Sequence, residues 1–98
     1  MSFFVYILRC ADGSYYVGHT DNLEIRVEDH QRGEIEDYTR RRRPVRLAFS
    51  QDFPSREEAL SLERQLKGWS RAKKEALIKG NWKRLQWLSR DHGSTGSP

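Results

Sequence analysis

The stretch VYILRCADGSYYVGHT, residues 5–20, decides how the fold begins. Two short runs rich in aromatic and β-branched residues flank Asp12-Gly13, a dipeptide typical of a hairpin turn. These runs predict a strand over residues 3–10 and an antiparallel partner over residues 15–19. The chain therefore starts with a β-hairpin that carries an unusual number of tyrosines.

The position of two of these tyrosines depends on the length of the hairpin loop. A two-residue turn would put Tyr6 and Tyr16 on opposite faces of the sheet, because side chains alternate along a strand. A three-residue loop that pairs residue 8 with residue 18 would put both phenols on one face. A shared site for the two tyrosines therefore requires an odd-length loop or a bulge.

Capping residues and apolar spacing indicate the remaining elements. A helix follows Thr20-Asp21-Asn22 and stops at Gly33, residues 45–53 alternate as a third strand, and an S-x-x-E capping box at Ser55 begins a second helix. Two further helices are expected to start at Ser70 and Asn81. The order β-β-α-β-α-α-α predicts an α+β fold, a small three-stranded sheet flanked by helices.

Length and composition indicate one small domain. The chain has 98 residues, 36% of them hydrophobic, so we expect one folded domain over residues 1–89 and a disordered Gly/Ser-rich tail over residues 90–98. No run of apolar residues is long enough to cross a membrane, and FFVYIL lacks the basic flank of a signal peptide. Cys10 is the only cysteine, which excludes an internal disulfide and suggests a cytoplasmic location.

The charge balance favours a polyanionic partner. The chain carries 18 Lys and Arg against 14 Asp and Glu, and basic domains attract nucleic acid through its phosphates. The basic residues cluster most strongly in an unbroken run: Arg40, Arg41, Arg42 and Arg43. This run is either a solvated loop or a surface that contacts phosphates.

Three charged or titratable residues lie beside the apolar stripes of the helices. Arg26 and His30 are four residues apart and share a helix face. Taken by position alone, the arginine is a solvated side chain and the histidine a partner of the helix dipole. Glu63 borders the packed face of the second helix, where a carboxylate is unusual unless it is paired or binds a metal. An ordinary ion pair with Lys67, four residues on, would also explain it.

Together these residue types match the needs of phosphodiester hydrolysis, in which a cation neutralises the phosphate and a base activates water. Their order resembles the GIY-YIG nuclease family, particularly its short single-domain bacterial members. VYI at residues 5–7 stands where the family has GIY, and YVG at 16–18 where it has YIG. Asn22-Leu23, Arg26 and His30 match the helix motif of the family. The run from Ser55 to Gly80 resembles the C-terminal half of the short members.

The resemblance implies a role for each matching residue. Tyr6 and Tyr16 would be the motif tyrosines, Tyr16 the general base, with Gly18 letting the backbone pass close by. Arg26 would stabilise the transition-state phosphate, and His30 would hydrogen-bond a tyrosine or share proton transfer. Glu63 would hold one Mg²⁺ or Mn²⁺. A free phenol has a pKa of about 10, so the base needs nearby positive charge, to which His19 could contribute.

The resulting hypothesis is a metal-dependent endonuclease that acts on nucleic acid, DNA being favoured, in repair or recombination. His19 and the run Arg40–Arg43 would help to bind the nucleic acid. One alternative is a nucleic-acid-binding module with this fold and little or no catalysis. Another is a protein-interaction domain that uses Trp69, Trp82 and Trp87, although we expect these tryptophans to pack in the core or at its edge.

Overall fold

The computed structural model confirms the predicted order of elements. It describes residues 2–35 and 38–96, with side chains described as far as residue 89. The chain divides into two compact units, Met1–Lys67 and Gly68–Pro98. The elements are β1 (Phe3–Arg9), β2 (Tyr15–Thr20), α1 (Leu23–Arg32), β3 (Arg46–Phe53), α2 (Arg56–Lys67), α3 (Arg71–Lys79) and α4 (Trp82–Gly96).

The hairpin of β1 and β2 has the odd-length loop that a shared tyrosine site requires. The amide of Cys10 donates to the carbonyl of Ser14 over 2.8 Å, which leaves three residues in the loop, and Gly13 takes a left-handed φ of 87°. Tyr6 lies opposite Gly18 and residue 8 lies opposite Tyr16. The predicted pairing of residue 8 with residue 18 is thus wrong by two residues. A shift of two residues leaves every side chain on its original face, because side chains alternate with a period of two. The prediction that Tyr6 and Tyr16 share one face is therefore confirmed.

The sheet has the order β2-β1-β3, with all strands antiparallel. We call the face that carries Tyr6, Leu8 and Tyr16 the tyrosine face, and the opposite face, which carries Val5 and His19, the His19 face. β1 is the central strand, and its residues 5–8 are buried. A bulge interrupts the pairing of β1 with β3 between residues 7 and 8.

Helices α1 and α2 cover the two faces of this sheet. The side chain of Asn22 accepts from the amide of Ile25 at the start of α1, and Gly33 ends that helix with a φ of 74°. Leu23 and Val27 pack against the cluster of buried residues on the tyrosine face. At the start of α2, the Ser55 hydroxyl accepts from the backbone amide of residue 58 over 3.2 Å, as its capping motif predicts.

The second unit contains α3 and α4. Ser70 caps α3, Gly80 ends it in a left-handed conformation, and Asn81 Oδ1 accepts from the amide of residue 84 at the start of α4. Helix α4 extends to Gly96, beyond the predicted start of the tail at residue 90. The side chains from residue 90 onward, and all of residues 97 and 98, lie outside the described residues, so a disordered tail stays a prediction.

The expectation that the tryptophans are packed in the core or at its edge is wrong for two of them. Trp82 is 60% exposed and Trp87 is 50% exposed, whereas Leu88 of the same helix is buried. Trp69 is partly buried. Apolar character alone favours burial, but a short helix with few buried positions leaves its remaining large side chains in solvent.

Within the described part of the chain, no helix combines the length and apolar character that a membrane crossing demands.

Candidate active site

A chain of hydrogen bonds connects the first motif tyrosine to helix α1 and the loop after it. The hydroxyl of Tyr6 lies 2.9 Å from Nε2 of His30, and Nδ1 of His30 lies 2.7 Å from the hydroxyl of Thr39. All three side chains are almost fully buried. Each of these groups can both donate and accept, so the chain can hold a proton at either end of the imidazole. His30 therefore does bond a tyrosine, and that tyrosine is Tyr6.

Tyr16 lies beside this chain on the tyrosine face. Its ring centroid is 6.3 Å from that of Tyr6 and 5.1 Å from that of His30. Tyr38 stacks on Tyr16 with 22° between the ring planes, and the guanidinium of Arg42 lies 3.8 Å from the centre of the Tyr38 ring. Tyr16, the candidate base, therefore lies between His30 and Tyr38, and Tyr38 makes a cation–π contact with Arg42.

Gly18 leaves room for this cluster. A Cβ at residue 18 would lie 2.5 Å from the Tyr6 hydroxyl oxygen and 2.7 Å from the ring carbon that bears it. It would also lie 3.1 Å from the ring of Tyr16. Any side chain at this position would therefore displace one or both phenols, which explains physically why the motif needs a glycine here.

Arg26 is available to solvent. It lies on α1, one turn before His30, and is exposed. Within residues 2–35 and 38–89, no side chain forms an ion pair or a hydrogen bond with its guanidinium. A cation without a partner at the border of the tyrosine face can contact an anion that approaches the cluster.

Glu63 and His19 meet on the opposite side of the sheet. Nδ1 of His19 lies 2.9 Å from Oε1 of Glu63, and Nζ of Lys67 lies 3.2 Å from Oε2 of the same carboxylate. The side chain of Glu63 is only 11% exposed. The ion pair with Lys67 that the sequence suggested is thus present, and His19 is a second partner. The site residues therefore form two separate groups. His19, Glu63 and Lys67 form one, and the two tyrosines with His30 form the other.

The arginine run divides into two pairs. Arg42 Nε donates to Asp12 Oδ2 over 3.1 Å, and Arg43 Nε donates to the carbonyl of Arg40 over 3.0 Å. Hydrogen bonds from Ser14, followed by the charge of Arg42, lower the pKa of the Asp12 carboxyl below its usual value. Arg42 and Arg43 therefore hold the loop in place. Arg40 and Arg41 are exposed, and phosphate binding by this run stays a prediction.

The metal site that the sequence suggested would rest on Glu63. Across the described residues, no group of three His, Cys, Asp or Glu side chains is placed to hold a metal ion. Magnesium is commonly held by one or two carboxylates while water and substrate phosphates complete its shell. Glu63, a nearly buried carboxylate, supplies an oxygen ligand of the kind that such a cation takes.

Two residues of the cluster were missed by sequence reasoning. Thr39 and Tyr38 lie in the irregular segment after α1, where no periodicity marks a side chain as inward-facing. A buried histidine needs hydrogen-bond partners for both ring nitrogens. That requirement indicates a donor or acceptor in a neighbouring loop, but it does not identify the residue.

The fold and this arrangement of side chains define the chain as a GIY-YIG catalytic domain. The model of that family, described as the GIY-YIG catalytic domain, matches residues 2–76. The chain therefore belongs to this family, and its fold supports a nuclease-type function.

The more specific relatives are small proteins described as UPF0213. One from Staphylococcus aureus is 45% identical over 78 residues, which cover 80% of this chain and 95% of that protein. The solution structure of a UPF0213 protein from Bacillus halodurans is 42% identical, with a TM-score of 0.54, and covers 91% of this chain and 98% of that one. A solved protein of E. faecalis is 32% identical at a TM-score of 0.54, covering 94% and 88%.

Proposed function

We propose that the protein is a metal-dependent endonuclease that hydrolyses phosphodiester bonds in DNA, in the context of repair or recombination. The observation that carries the proposal is the close group of Tyr6, Tyr16 and His30, together with Arg26, which is exposed one turn before His30 on α1. These residues supply a base, Tyr16, and a phosphate-binding cation, Arg26. We also propose a cytoplasmic location, which the presence of a single cysteine in the sequence supports.

Tyr16 accepts the proton of the attacking water in this scheme. Its position supports that role, since its ring lies beside His30 on the tyrosine face and stacks on Tyr38. Tyr6, buried and held by His30, fixes the surroundings of Tyr16 on the same face. Arg26 binds the non-bridging oxygens of the phosphate, whose negative charge grows in the transition state.

Glu63 holds the divalent cation, Mg²⁺ or Mn²⁺. When bound, the cation would supply charge neutralisation at the scissile phosphate. Tyr16 and His19 lie on opposite faces of β2, but β2 is an edge strand of the sheet, so a substrate at this edge can meet groups from both faces. Both carboxylate oxygens of Glu63 carry partners, His19 on Oε1 and Lys67 on Oε2. The partially exposed Lys67 is the partner more easily exchanged, because a solvated lysine loses little when it leaves an ion pair.

The second candidate is a binding module of the same fold without catalysis. The charge balance of the chain favours nucleic-acid binding in either case. A buried carboxylate such as Glu63 is harder to explain in a pure binding module, because it repels phosphate unless a cation lies between them.

A plasmid-nicking assay in Mg²⁺ or Mn²⁺ tests the proposal. We expect Glu63→Ala and Arg26→Ala each to slow cleavage by at least about 100-fold, as is common when a group that stabilises transition-state charge is lost. Glu57→Ala and Arg64→Ala are the matched controls, since both are exposed residues of α2, and they should cut at the wild-type rate. Cleavage unchanged by both site substitutions contradicts the mechanism. Salt-sensitive binding without cleavage by any of these proteins supports the binding module.

The role of Tyr16 has a separate test. Tyr16→Phe keeps the ring stack and removes only the hydroxyl, so a full cleavage rate in this variant excludes Tyr16 as the base. Tyr15→Phe is its control, because Tyr15 is the adjacent residue on β2 and points to the other face.

A further inference from the structure

The positive charge of the protein is concentrated in one of its two units. Residues 68–98 contain seven Lys and Arg against two Asp and Glu, whereas residues 1–67 contain eleven against twelve. The net charge of +4 therefore comes entirely from the second unit. The family match ends at residue 76, so α4 lies beyond it. A concentration of cations in a short segment attracts the phosphates of a polyanion.

The same unit exposes two large aromatic side chains. Trp82 and Trp87 of α4 are 60% and 50% exposed. The guanidinium of Arg84 lies 5.0 Å from the centre of the Trp87 ring, and Nζ of Lys73 lies 4.9 Å from that of Trp69. Proteins that bind single strands use exposed aromatic rings to stack on unpaired bases. They use nearby cations to bind the phosphate backbone.

A cleft between α3 and α4 adjoins this surface. Its volume is about 270 Å³, and its lining includes Lys79 and Arg84, together with Glu75. The carboxylate of Glu75 is paired with Arg71 over 3.1 Å, which reduces its repulsion of an anion. Arg84 belongs both to the cleft and to the contact with Trp87. A phosphate bound in the cleft would therefore lie next to an indole on which a base can stack.

We propose that the second unit is a binding surface for single-stranded nucleic acid, formed by Trp87, Arg84 and Lys79, with the exposed Trp82 at the start of the same helix as a second position for stacking. This inference rests on the proposed nuclease function and adds that the substrate has an unpaired strand, since the bases of an intact duplex cannot stack on a protein side chain. A protein partner is the less suitable occupant, because lysine is depleted in protein interfaces and this unit concentrates seven Lys and Arg against two Asp and Glu.

Fluorescence anisotropy with a labelled 20-nucleotide oligothymidine and a 20-base-pair duplex tests this surface. The full-length protein is used in EDTA, so that hydrolysis cannot contribute. We expect Trp82→Ala/Trp87→Ala to bind the single strand at least about ten-fold more weakly than wild type, since each stacked base lost to alanine is costly. Duplex binding should change much less. Ile25→Ala, which removes a side chain 55% exposed in the first unit, is the matched control and should bind as wild type.

Salt dependence tests the cation component. Lys79→Gln should lower the slope of log K against log salt by about one. Equal single-strand binding by wild type and the double tryptophan variant overturns the proposal, as does an equal loss on strand and duplex. Sedimentation provides a further check. If the wild type is a dimer and the double tryptophan variant is a monomer, the indoles belong to a protein interface, and the proposal is overturned. These assays contain no metal and leave Glu63 intact, so their failure is separate from failure of the nicking assay.

Discussion

On the tyrosine face of the sheet the candidate site residues form part of the core, whereas on the His19 face they lie at its rim. His30 and Thr39 are fully buried and are joined to Tyr6 by a chain of hydrogen bonds. Glu63, in contrast, is bonded to His19 and Lys67, and the side chain of Lys67 is 57% exposed. Changes on the tyrosine face should therefore affect folding and chemistry together, while changes on the His19 face should affect chemistry with only a small loss of stability.

The largest expected effect separates the two histidines. His30→Ala removes a hydrogen-bond partner from two buried hydroxyls and opens a cavity, so we expect a loss of about 3 kcal/mol in the free energy of unfolding. His19→Ala removes a partly exposed ring and should cost about 1 kcal/mol or less. Urea denaturation of both variants measures the difference. Equal losses would contradict the distinction between a core face and a rim face.

Gly18→Ala tests the close packing of the tyrosine face. The new Cβ would meet the Tyr6 hydroxyl at 2.5 Å, and overpacking of this kind costs about 1–3 kcal/mol. Gly13→Ala is the matched control, because its left-handed φ of 87° is strained by a side chain although the space around it is empty. Both variants should lose stability, but only Gly18→Ala should lose cleavage at temperatures where the protein stays folded. Full cleavage by Gly18→Ala contradicts the role assigned to the two phenols.

Lys67→Ala tests whether the rim exchanges partners. Removing the ammonium that holds Oε2 of Glu63 should change stability by only about 0.2–0.5 kcal/mol, the usual value of such a helix pair. Because the lysine competes with a cation for the carboxylate, Mn²⁺ should bind about two-fold more tightly to the variant, by the same difference in free energy. Calorimetric titration measures this affinity, with Arg64→Ala of the same helix as control. Weaker binding by Lys67→Ala would mean that the lysine assists the metal instead.

The smallest effect is a dependence of stability on pH at the hairpin loop. The pKa of Asp12 lies below its ordinary value of 3.8 because Ser14 and Arg42 favour the carboxylate. This carboxylate therefore stabilises the fold above the ordinary pKa, and the contribution disappears as pH falls through the lower folded value. Asp12→Asn should lower the melting temperature slightly at pH 7 and by less near pH 3. A difference that stays constant with pH excludes this origin.

Most of the fold could be predicted from local signals. The capping residues Asn22, Ser55 and Ser70 and the glycines that end α1 and α3 are short-range determinants, so their pattern predicted the helix limits to within one or two residues. The shared face of Tyr6 and Tyr16 followed from loop parity, although the register itself was predicted two residues away from the pairing that forms.

The parts that could not be predicted depend on contacts distant in sequence. Thr39 reaches His30 from an irregular loop, and His19 reaches Glu63 across 44 residues. Nothing in the local pattern of either segment encodes such a meeting. The exposure of Trp82 and Trp87 could not be predicted for a different reason. Residue type indicates that burying a tryptophan is favourable, but it does not show whether a neighbouring element is present to cover the side chain.

The central claim is that Glu63 holds the metal of a site whose base lies on the tyrosine face. Its most direct test is a Mn²⁺ titration of ¹⁵N-labelled protein, in which the paramagnetic ion broadens the amide signals nearest to it. We expect the signals of Glu63, His19 and the adjacent Gly18 to broaden first, and this broadening to be absent in Glu63→Gln. Broadening centred on other residues, or unchanged in Glu63→Gln, would contradict the account.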